Sequence, residues 1–570
     1  MNDPLLSIEN LTIGFPSNQG TFYATKEVSL EIATGRSLGI VGESGSGKSI
    51  TALSVLNLLP PSATVLSGKI SYRMEKDHWV DILKADQKLI RSIRGRHISM
   101  IFQEPMTSLN PVYTCGDQVS EIMIRHLDYS HKKAREKAEH LFREVELPNP
   151  GRIFESYPHE LSGGQRQRVM IAMAISCDPD LLIADEPTTA LDVTIQNSIL
   201  GLLKGLKQRY GMSLIFISHD LAVVSEVADE IAVMYNGRIV EQGTREQIIH
   251  SPVNAYTRGL IACKPPLNRR PERLYTLADF MEDERQDAAT RRPENILEKG
   301  HPKDLDQEPS RIFTLHNVSK AFPLERNFFG TITESLPAIN DVSLEIFQGE
   351  TLGVVGESGS GKSTLARILM KLLTFDQGSI SFKGKDFTRF TRSDMRAFRQ
   401  NVQIIFQDPY STLNPRLSAG KMIAEPLQYY GYYKHRQERK QRTLELLNDV
   451  RLGGDFLNRY PHELSGGQRQ RVAIARVLAL NPGFIICDEA VSALDVSIQA
   501  EVLNLLQDLK KRYHLTYVFI THDFSVVRFM SDRVAVMKDG SIIEIGESYR
   551  VFDSPKNDYT RKLLSSIPAI

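Results

Sequence analysis

Cysteine is scarce in this 570-residue chain, with four residues at Cys115, Cys177, Cys263 and Cys487. They lie too far apart for a disulfide framework or for the close pairs of a zinc or iron-sulfur site, and a reducing compartment fits best. Long apolar runs are missing too, since none approaches the roughly 18 residues of a membrane-spanning helix. The start, "MNDPLLSIEN", lacks the basic flank and apolar stretch of a secretory signal. Net charge is absent as well: 69 basic and 69 acidic side chains cancel. No global field therefore draws the chain to nucleic acid or to an anionic membrane, and any such contact must be local. The expectation is a soluble polypeptide, long enough for two or more domains with full cores.

What is present is a repeat. Sliding the chain by a little over three hundred residues superposes "GESGSGKS" on itself, "VSLEI" on "VSLEI", "YPHELSGGQRQRV" on the identical string, and "SHDLAVV" on "THDFSVV". The two copies are expected at 5–262 and 311–570. Residues 263–310 between them have several prolines, few bulky aliphatics and charges at about two-fifths of positions, the composition of a linker. If flexible, that linker would span roughly 35 to 40 Å. Within each copy, short continuous apolar runs such as "RSLGIV", "HISMIF", "LLIA" and "SLIFI" predict strands buried on both faces of a parallel sheet, alternating with helices. "MYNGRIVEQG" and "MKDGSIIEIG" predict hairpins with type I′ turns, so an antiparallel portion accompanies an α/β core.

"LGIVGESGSGKSITAL" reads as strand, glycine loop, helix, and fits G-x-x-x-x-G-K-[ST]. In that motif backbone N–H groups curl around phosphate oxygens at a helix N-terminus. Gly42, Ser44, Gly45 and Gly47 form the first loop; Gly356, Ser358, Gly359 and Gly361 form the second. Lys48 and Lys362 are expected to reach the β and γ phosphates, with Ser49 and Ser363 on Mg²⁺. A glycine-rich turn alone is equally a tight strand-to-helix connection, but the full motif twice in that context favours nucleotide. "LLIADEP" and "FIICDEA" each end an apolar strand in two acids. Asp185 and Asp488 are expected on the metal, with Glu186 and Glu489 orienting and polarising an attacking water. Gln103, Gln407, His219 and His522 close other strands. In a parallel sheet these carboxyl ends share one edge, where such groups can meet Mg²⁺, the γ-phosphate or the water. A lone Gln or His there is commonly structural, and the agreement of both copies argues for function.

"LSGGQRQRV" predicts a helix start with Ser162 or Ser465 as cap and Gly163, Gly164, Gly466 and Gly467 exposing N–H groups. Each copy then has two phosphate-recognising surfaces but chemistry for one nucleotide, which suggests that the second surface serves the neighbour's nucleotide.

With "GESGSGKS", Gln103, "LSGGQ", "LLIADE", "ALD" and His219, all repeated, the chain resembles the ATP-binding cassette superfamily over nearly everything outside the linker. The resemblance implies two tandem ATPase domains, each a P-loop core with an antiparallel β subdomain and a helical signature subdomain. It implies ATP and Mg²⁺ as cofactors, with Ser49, Gln103, Asp185, Ser363, Gln407 and Asp488 at the metal. It also implies a head-to-tail sandwich in which each ATP lies between one copy's phosphate loop and the other's LSGGQ. "QEPMTSLNP", "QDPYSTLNP", "SPVNAYTRGL" and "SPKNDYTRKL" resemble the ATPase subunits of dipeptide and oligopeptide importers, of which fused forms serve glutathione and microcin C-type peptides. The implied partners are two transmembrane permease subunits and an extracytoplasmic solute-binding protein. The implied place is the cytoplasmic face of the inner membrane, with membrane contact only through the permeases and no nucleic acid.

The alternatives are an exporter ATPase and a twin-cassette translation factor; the latter calls for a basic linker, and this one is slightly acidic. Many of these importer subunits carry a cysteine cluster after "YTRGL" that binds iron-sulfur, and with only Cys263 nearby no cluster is expected. The second copy has Ala490 where the first has Pro187. Phe15 and Phe322 match the family's adenine-stacking aromatic by position, with Tyr23 as a rival.

Overall fold

The computed structural model describes residues 3–17, 20–75, 78–103, 108–189, 191–281, 310–326, 332–492 and 494–567. The string "QEPMTSLNP" and most of the linker fall partly or wholly outside these residues. The chain divides into two compact units. The first spans the N-terminal copy to Ile261 and resumes at Leu277; the second takes Ala262–Thr276 together with the C-terminal copy.

In the first unit a six-stranded sheet has the order Arg238–Thr244, Glu230–Tyr235, Ser37–Val41, Ser213–Ser218, Leu181–Asp185, Ile98–Ile101. All neighbours are parallel except the first pair. The three central strands Ser37–Val41, Ser213–Ser218 and Leu181–Asp185 are buried along their whole length. That matches the apolar runs, since a strand covered on both faces needs no polar alternation. Each Leu, Ile or Phe so buried, such as Ile183 and Phe216, contributes about 1.5–3 kcal/mol. The antiparallel edge pair turns at Asn236 and Gly237, both with positive φ, as the expected type I′ turn requires. A separate four-stranded antiparallel sheet, led by Pro4–Ser17 and Gly20–Ala33, covers one side. Helices Cys115–Leu127, His131–Glu144 and Gly163–Ile175 build a helical portion.

The second unit repeats this plan. Its six-stranded sheet runs Val402–Ile405, Phe484–Asp488, Thr516–Ile520, Thr351–Val355, Arg533–Lys538, Ser541–Glu547. Its edge hairpin turns at Asp539 and Gly540. In both units the strand before the glycine loop carries a glycine, Gly39 or Gly353, where a Cβ would collide with Val224 or with Ser531. That absence lets helix Leu221–Val227 or Phe524–Met530 lie directly against the strand.

The stretch read as linker begins with built structure. Asn504, buried on helix Val496–Tyr513, accepts from the Leu274 amide and donates to the Leu274 carbonyl, both at 2.9 Å. Arg270 donates to the carbonyls of Phe529 (3.2 Å) and Met530 (3.3 Å) at the end of helix Phe524–Met530 and pairs with Asp532 at 3.0 Å. Leu267 packs beside Phe524, Val527 and Phe552. Among the described residues no helix is long and apolar enough to cross a membrane.

Candidate nucleotide sites

Four parallel strands of the first unit end at one edge, and the residue types read from the sequence gather there. The glycine loop turns through Gly42, Gly45 and Gly47, all at positive φ. A side chain at Gly47 would strike the carbonyl of Ala24, so glycine is required by space as well as by conformation. Helix Lys48–Val55 starts directly after it. Lys48, buried, curls back to donate to the carbonyls of Gly42 (2.7 Å) and Glu43 (2.9 Å). Its ammonium is thus held at the mouth of the loop by weak neutral acceptors that an anion can outcompete.

Ser49 donates to Asp185 at 3.2 Å. Burial drives the Asp185 carboxyl up to about 6, with the neighbouring Glu186 adding to the rise. A hydroxyl and a buried carboxylate form a hard-oxygen donor set, suited to a small divalent ion that takes its other ligands from phosphate and water. Among the described residues no group of three or more His, Cys, Asp or Glu forms a metal site of its own.

Glu186 is the hub. Burial alone would raise its pKa, but His219, Thr189 and Lys48 overcome that and hold it down to about 2. Gln103 donates to it at 3.0 Å, Thr189 at 2.9 Å, and His219 Nδ1 lies 3.4 Å away. Its backbone is left-handed, with φ of 46°, and its N–H donates to the Ile217 carbonyl. A glutamate pays for that conformation only where surrounding contacts enforce it, and such strain collects at functional sites. Asp185 faces Ser49 and Glu186 faces Gln103 and His219, so the two adjacent acids do part to different partners.

The second unit reproduces these contacts except that of Thr189, whose counterpart Ser492 donates to the Glu489 backbone carbonyl at 2.9 Å. Lys362 donates to Gly356 and Glu357 carbonyls at 2.8 and 2.7 Å. Ser363 meets Asp488 at 3.3 Å, Gln407 donates to Glu489 at 2.7 Å, and His522 lies 3.5 Å from Glu489. Glu489 is left-handed at 48°. Burial pushes Asp488 up; it opposes the fall at Glu489, which His522 nevertheless holds below the usual range. His522 is in turn raised by Glu489 against its own burial.

The signature residues stand apart from these clusters. Ser162 caps helix Gly163–Ile175 in a capping box with Gln165, and Ser465 caps Gly466–Leu478 with Gln468. Ser162, Gly163, Ser465 and Gly466 are exposed, with the cap serines taking the Gln165 and Gln468 amides. Gly164 and Gly467 are buried, where a side chain would press on Ile195 or Ile498. Phe15 pairs with Phe22 and Phe322 with Leu336 at the entry of each antiparallel sheet. Ala24 and Ala338 touch the matching loop glycines, so Tyr23 corresponds to Pro337. Of the two candidates, Phe15 has an aromatic counterpart in the second unit, Phe322, and Tyr23 has none.

Two residues near the loops were not singled out by sequence. The Tyr256 hydroxyl accepts from the Glu43 amide at 3.1 Å, and the Tyr559 hydroxyl from the Glu357 amide at 3.4 Å. Their strings, "NAYTRGL" and "NDYTRKL", were visible as repeats, but contacts spanning some two hundred residues have no local signal.

The family model described as ABC transporter matches residues 25–189 and 339–492. The model described as Oligopeptide/dipeptide transporter, C-terminal region, matches 240–289 and 543–570, which contain the two tyrosine strings. Glutathione import ATP-binding protein GsiA of Escherichia coli (strain K12) is 44% identical over 99% of this chain and 89% of its own length. The protein of the same name from Salmonella typhimurium gives the same figures. Among solved structures, the ATP-binding cassette MJ0796 bound to ADP and Pi covers 42% of this chain and 99% of its own, at 32% identity and a TM-score of 0.37.

Proposed function

The chain belongs to the ABC transporter family, as an ATPase serving import of peptides or related small solutes, and from that membership we propose how its two cassettes act. Each phosphate loop binds one ATP, with Gly42, Ser44, Gly45 and Gly47, or Gly356, Ser358, Gly359 and Gly361, offering N–H groups. Lys48 or Lys362 leaves its carbonyl partners for the β and γ phosphates. Ser49 with Asp185, and Ser363 with Asp488, would hold Mg²⁺, assisted by Gln103 and Gln407, and the bound ion would supply charge stabilisation to the phosphates. Phe15 and Phe322 stack on adenine. Each site would be completed by Ser162, Gly163 and Gly164, or Ser465, Gly466 and Gly467, of the opposite cassette, as the family resemblance implies.

Glu186 and Glu489 orient the attacking water. A carboxylate held as low as Glu186 stays ionised and accepts the water's hydrogen bond; as the water oxygen bonds to the γ-phosphorus, the bond to the β–γ bridging oxygen breaks, ADP leaves, and the water's proton passes to the carboxylate and on to the phosphate released. His219 and His522 sit on the far oxygen of that carboxylate, where they hold it and reach the γ-phosphate. The observation carrying this reading is the hub itself: one left-handed glutamate, buried in the first unit and half-buried in the second, met by a glutamine and a histidine and built twice at the same strand ends.

Hydrolysis drives uptake through separate permease subunits fed by a solute-binding protein. The chain sits peripherally at the cytoplasmic face of the membrane and reaches it only through the permeases. Glutathione or a similar short peptide is the proposed cargo, by likeness to the glutathione import proteins. Cells lacking the gene for this chain but keeping its permeases, given radiolabelled glutathione and then a tripeptide without the γ-linkage, test it. Loss of glutathione uptake, restored by the chain but not by Glu186→Gln with Glu489→Gln, is expected; unchanged glutathione uptake would overturn the cargo.

A further inference from the structure

Each phosphate loop is held from behind through a single peptide group. The Gly42 carbonyl accepts from Lys48 Nζ at 2.7 Å, while the Glu43 N–H of that same peptide donates to the Tyr256 hydroxyl at 3.1 Å. A trans peptide points its C=O and N–H in opposite directions, so the lysine and the tyrosine grip one rigid plane from its two sides. The cation on the carbonyl also polarises the peptide and strengthens the N–H as a donor. The second unit does the same: Lys362 on the Gly356 carbonyl at 2.8 Å, Tyr559 under the Glu357 amide at 3.4 Å.

The tyrosines are themselves fixed. Glu241 accepts from the amides of Val253 (2.7 Å) and Asn254 (3.2 Å), and Asn254 accepts from the Tyr256 amide at 2.9 Å. Glu544, Lys556, Asn557 and Tyr559 repeat the arrangement. The Tyr256 ring is fully buried, with its centroid 4.3 Å from that of Tyr235. A polar hydroxyl carried into that interior and aimed at the loop is satisfied there and not by water.

We propose that Tyr256 and Tyr559 are positioning residues for the phosphate loops: by pinning the Gly42–Glu43 and Gly356–Glu357 peptides they set where Lys48 and Lys362 wait for the nucleotide. This rests on the reading of the two lysines as phosphate ligands. The tie is tighter in the first unit, where the bond is shorter and the ring fully buried, so the first site depends on it more.

The test uses the full chain with azido-ATP titrated, cross-linked and mapped after proteolysis between residues 282 and 309. Tyr256→Phe keeps the ring and removes only the hydroxyl, and is expected to weaken labelling of the N-terminal fragment about five-fold, with the C-terminal fragment unchanged. Tyr559→Phe does the converse, by less. In a Lys48→Gln background Tyr256→Phe adds nothing further, because the group it positions is gone. Unchanged labelling in Tyr256→Phe would overturn the proposal. So would an equal five-fold loss with Lys48→Gln present, or a fall in thermal stability that accounts for the loss. If Lys48→Gln alone leaves labelling intact, it is the reading of the lysine that fails.

Discussion

On helix Val496–Tyr513 of the second cassette, Asn504 closes two hydrogen bonds onto Leu274, and Arg528 reaches the Asn268 carbonyl at 3.4 Å. The corresponding places in the first cassette are Gly201, where a side chain would meet open space, and Ser225, which donates to its own helix at Ala222. At the ends of the parallel strands the two cassettes share the lysine, serine–aspartate, glutamine and histidine contacts. They differ on the helices that follow the catalytic strands. The proposed chemistry asks for the same groups at both sheet edges. Away from those edges the second copy has a polar seat for Ala262–Thr276, and the matching positions of the first, Gly201 and Ser225, offer none. Asp229 and Asp532 mark the boundary. Both accept from the strand that leads to the loop and from a lysine, but only Asp532 also holds an arginine, Arg270.

The sharpest way to break the likeness is at the hubs. Glu186→Gln together with Glu489→Gln is expected to keep ATP binding and cut turnover on the order of 100 to 1000-fold. Each single variant should remove hydrolysis from its own site alone, and steady-state ATPase beside nucleotide trapping checks both. A double variant with more than about a tenth of normal turnover refutes the role given to these residues. Next comes the crossing of the sites. Ser465→Arg is expected to abolish trapping on the N-terminal fragment and Ser162→Arg on the C-terminal one. Loss on the mutated fragment would mean that each cassette works alone.

The differences can be tested with smaller effects. Asn504→Ala strands the buried amide and carbonyl of Leu274 and is expected to destabilise the second unit by about 1–3 kcal/mol. Gly201→Ala, at the matching helical position, is expected to stabilise the first by up to about 1 kcal/mol. Amide exchange in the two helices reads both. The last effect is on pH. Burial works against the Asp532 anion, yet Lys510 and Arg270 bring its pKa down to about 2. A depressed acid stabilises the fold above its unfolded value near 4, and that stability is lost as pH falls toward 2. The second unit should therefore lose protection across that window, and Arg270→Gln should flatten the loss; an identical pH curve in the variant would show that the arginine contributes nothing.

Much of this was legible before any coordinates. The apolar runs became the central strands, the Asn-Gly and Asp-Gly pairs became the hairpin turns, and the strand-end residues met as a parallel sheet demands. Three features were not. The left-handed backbone at Glu186 and Glu489 has no local signal, because an Asp-Glu pair does not call for positive φ. Tyr256 and Tyr559 act across the fold. Residues 264–276 looked like linker because composition measures how much apolar surface a segment can bury, and this one is held mainly by Arg270, Asn504 and backbone groups.

The seat for Leu274 also bears on manufacture. Residues 262–276 leave the ribosome with the first cassette, some two hundred residues ahead of the helices that receive them. For that interval Leu274, 2% exposed in the finished fold, lacks the Asn504 side chain that closes on its amide and carbonyl, and the second cassette reaches its final form only when it recaptures a piece of chain made long before. A gene divided between residues 282 and 309 would leave that piece on the wrong half, so two separately made cassettes would inherit the catalytic apparatus intact and the docking of Ala262–Thr276 only as an encounter between strangers.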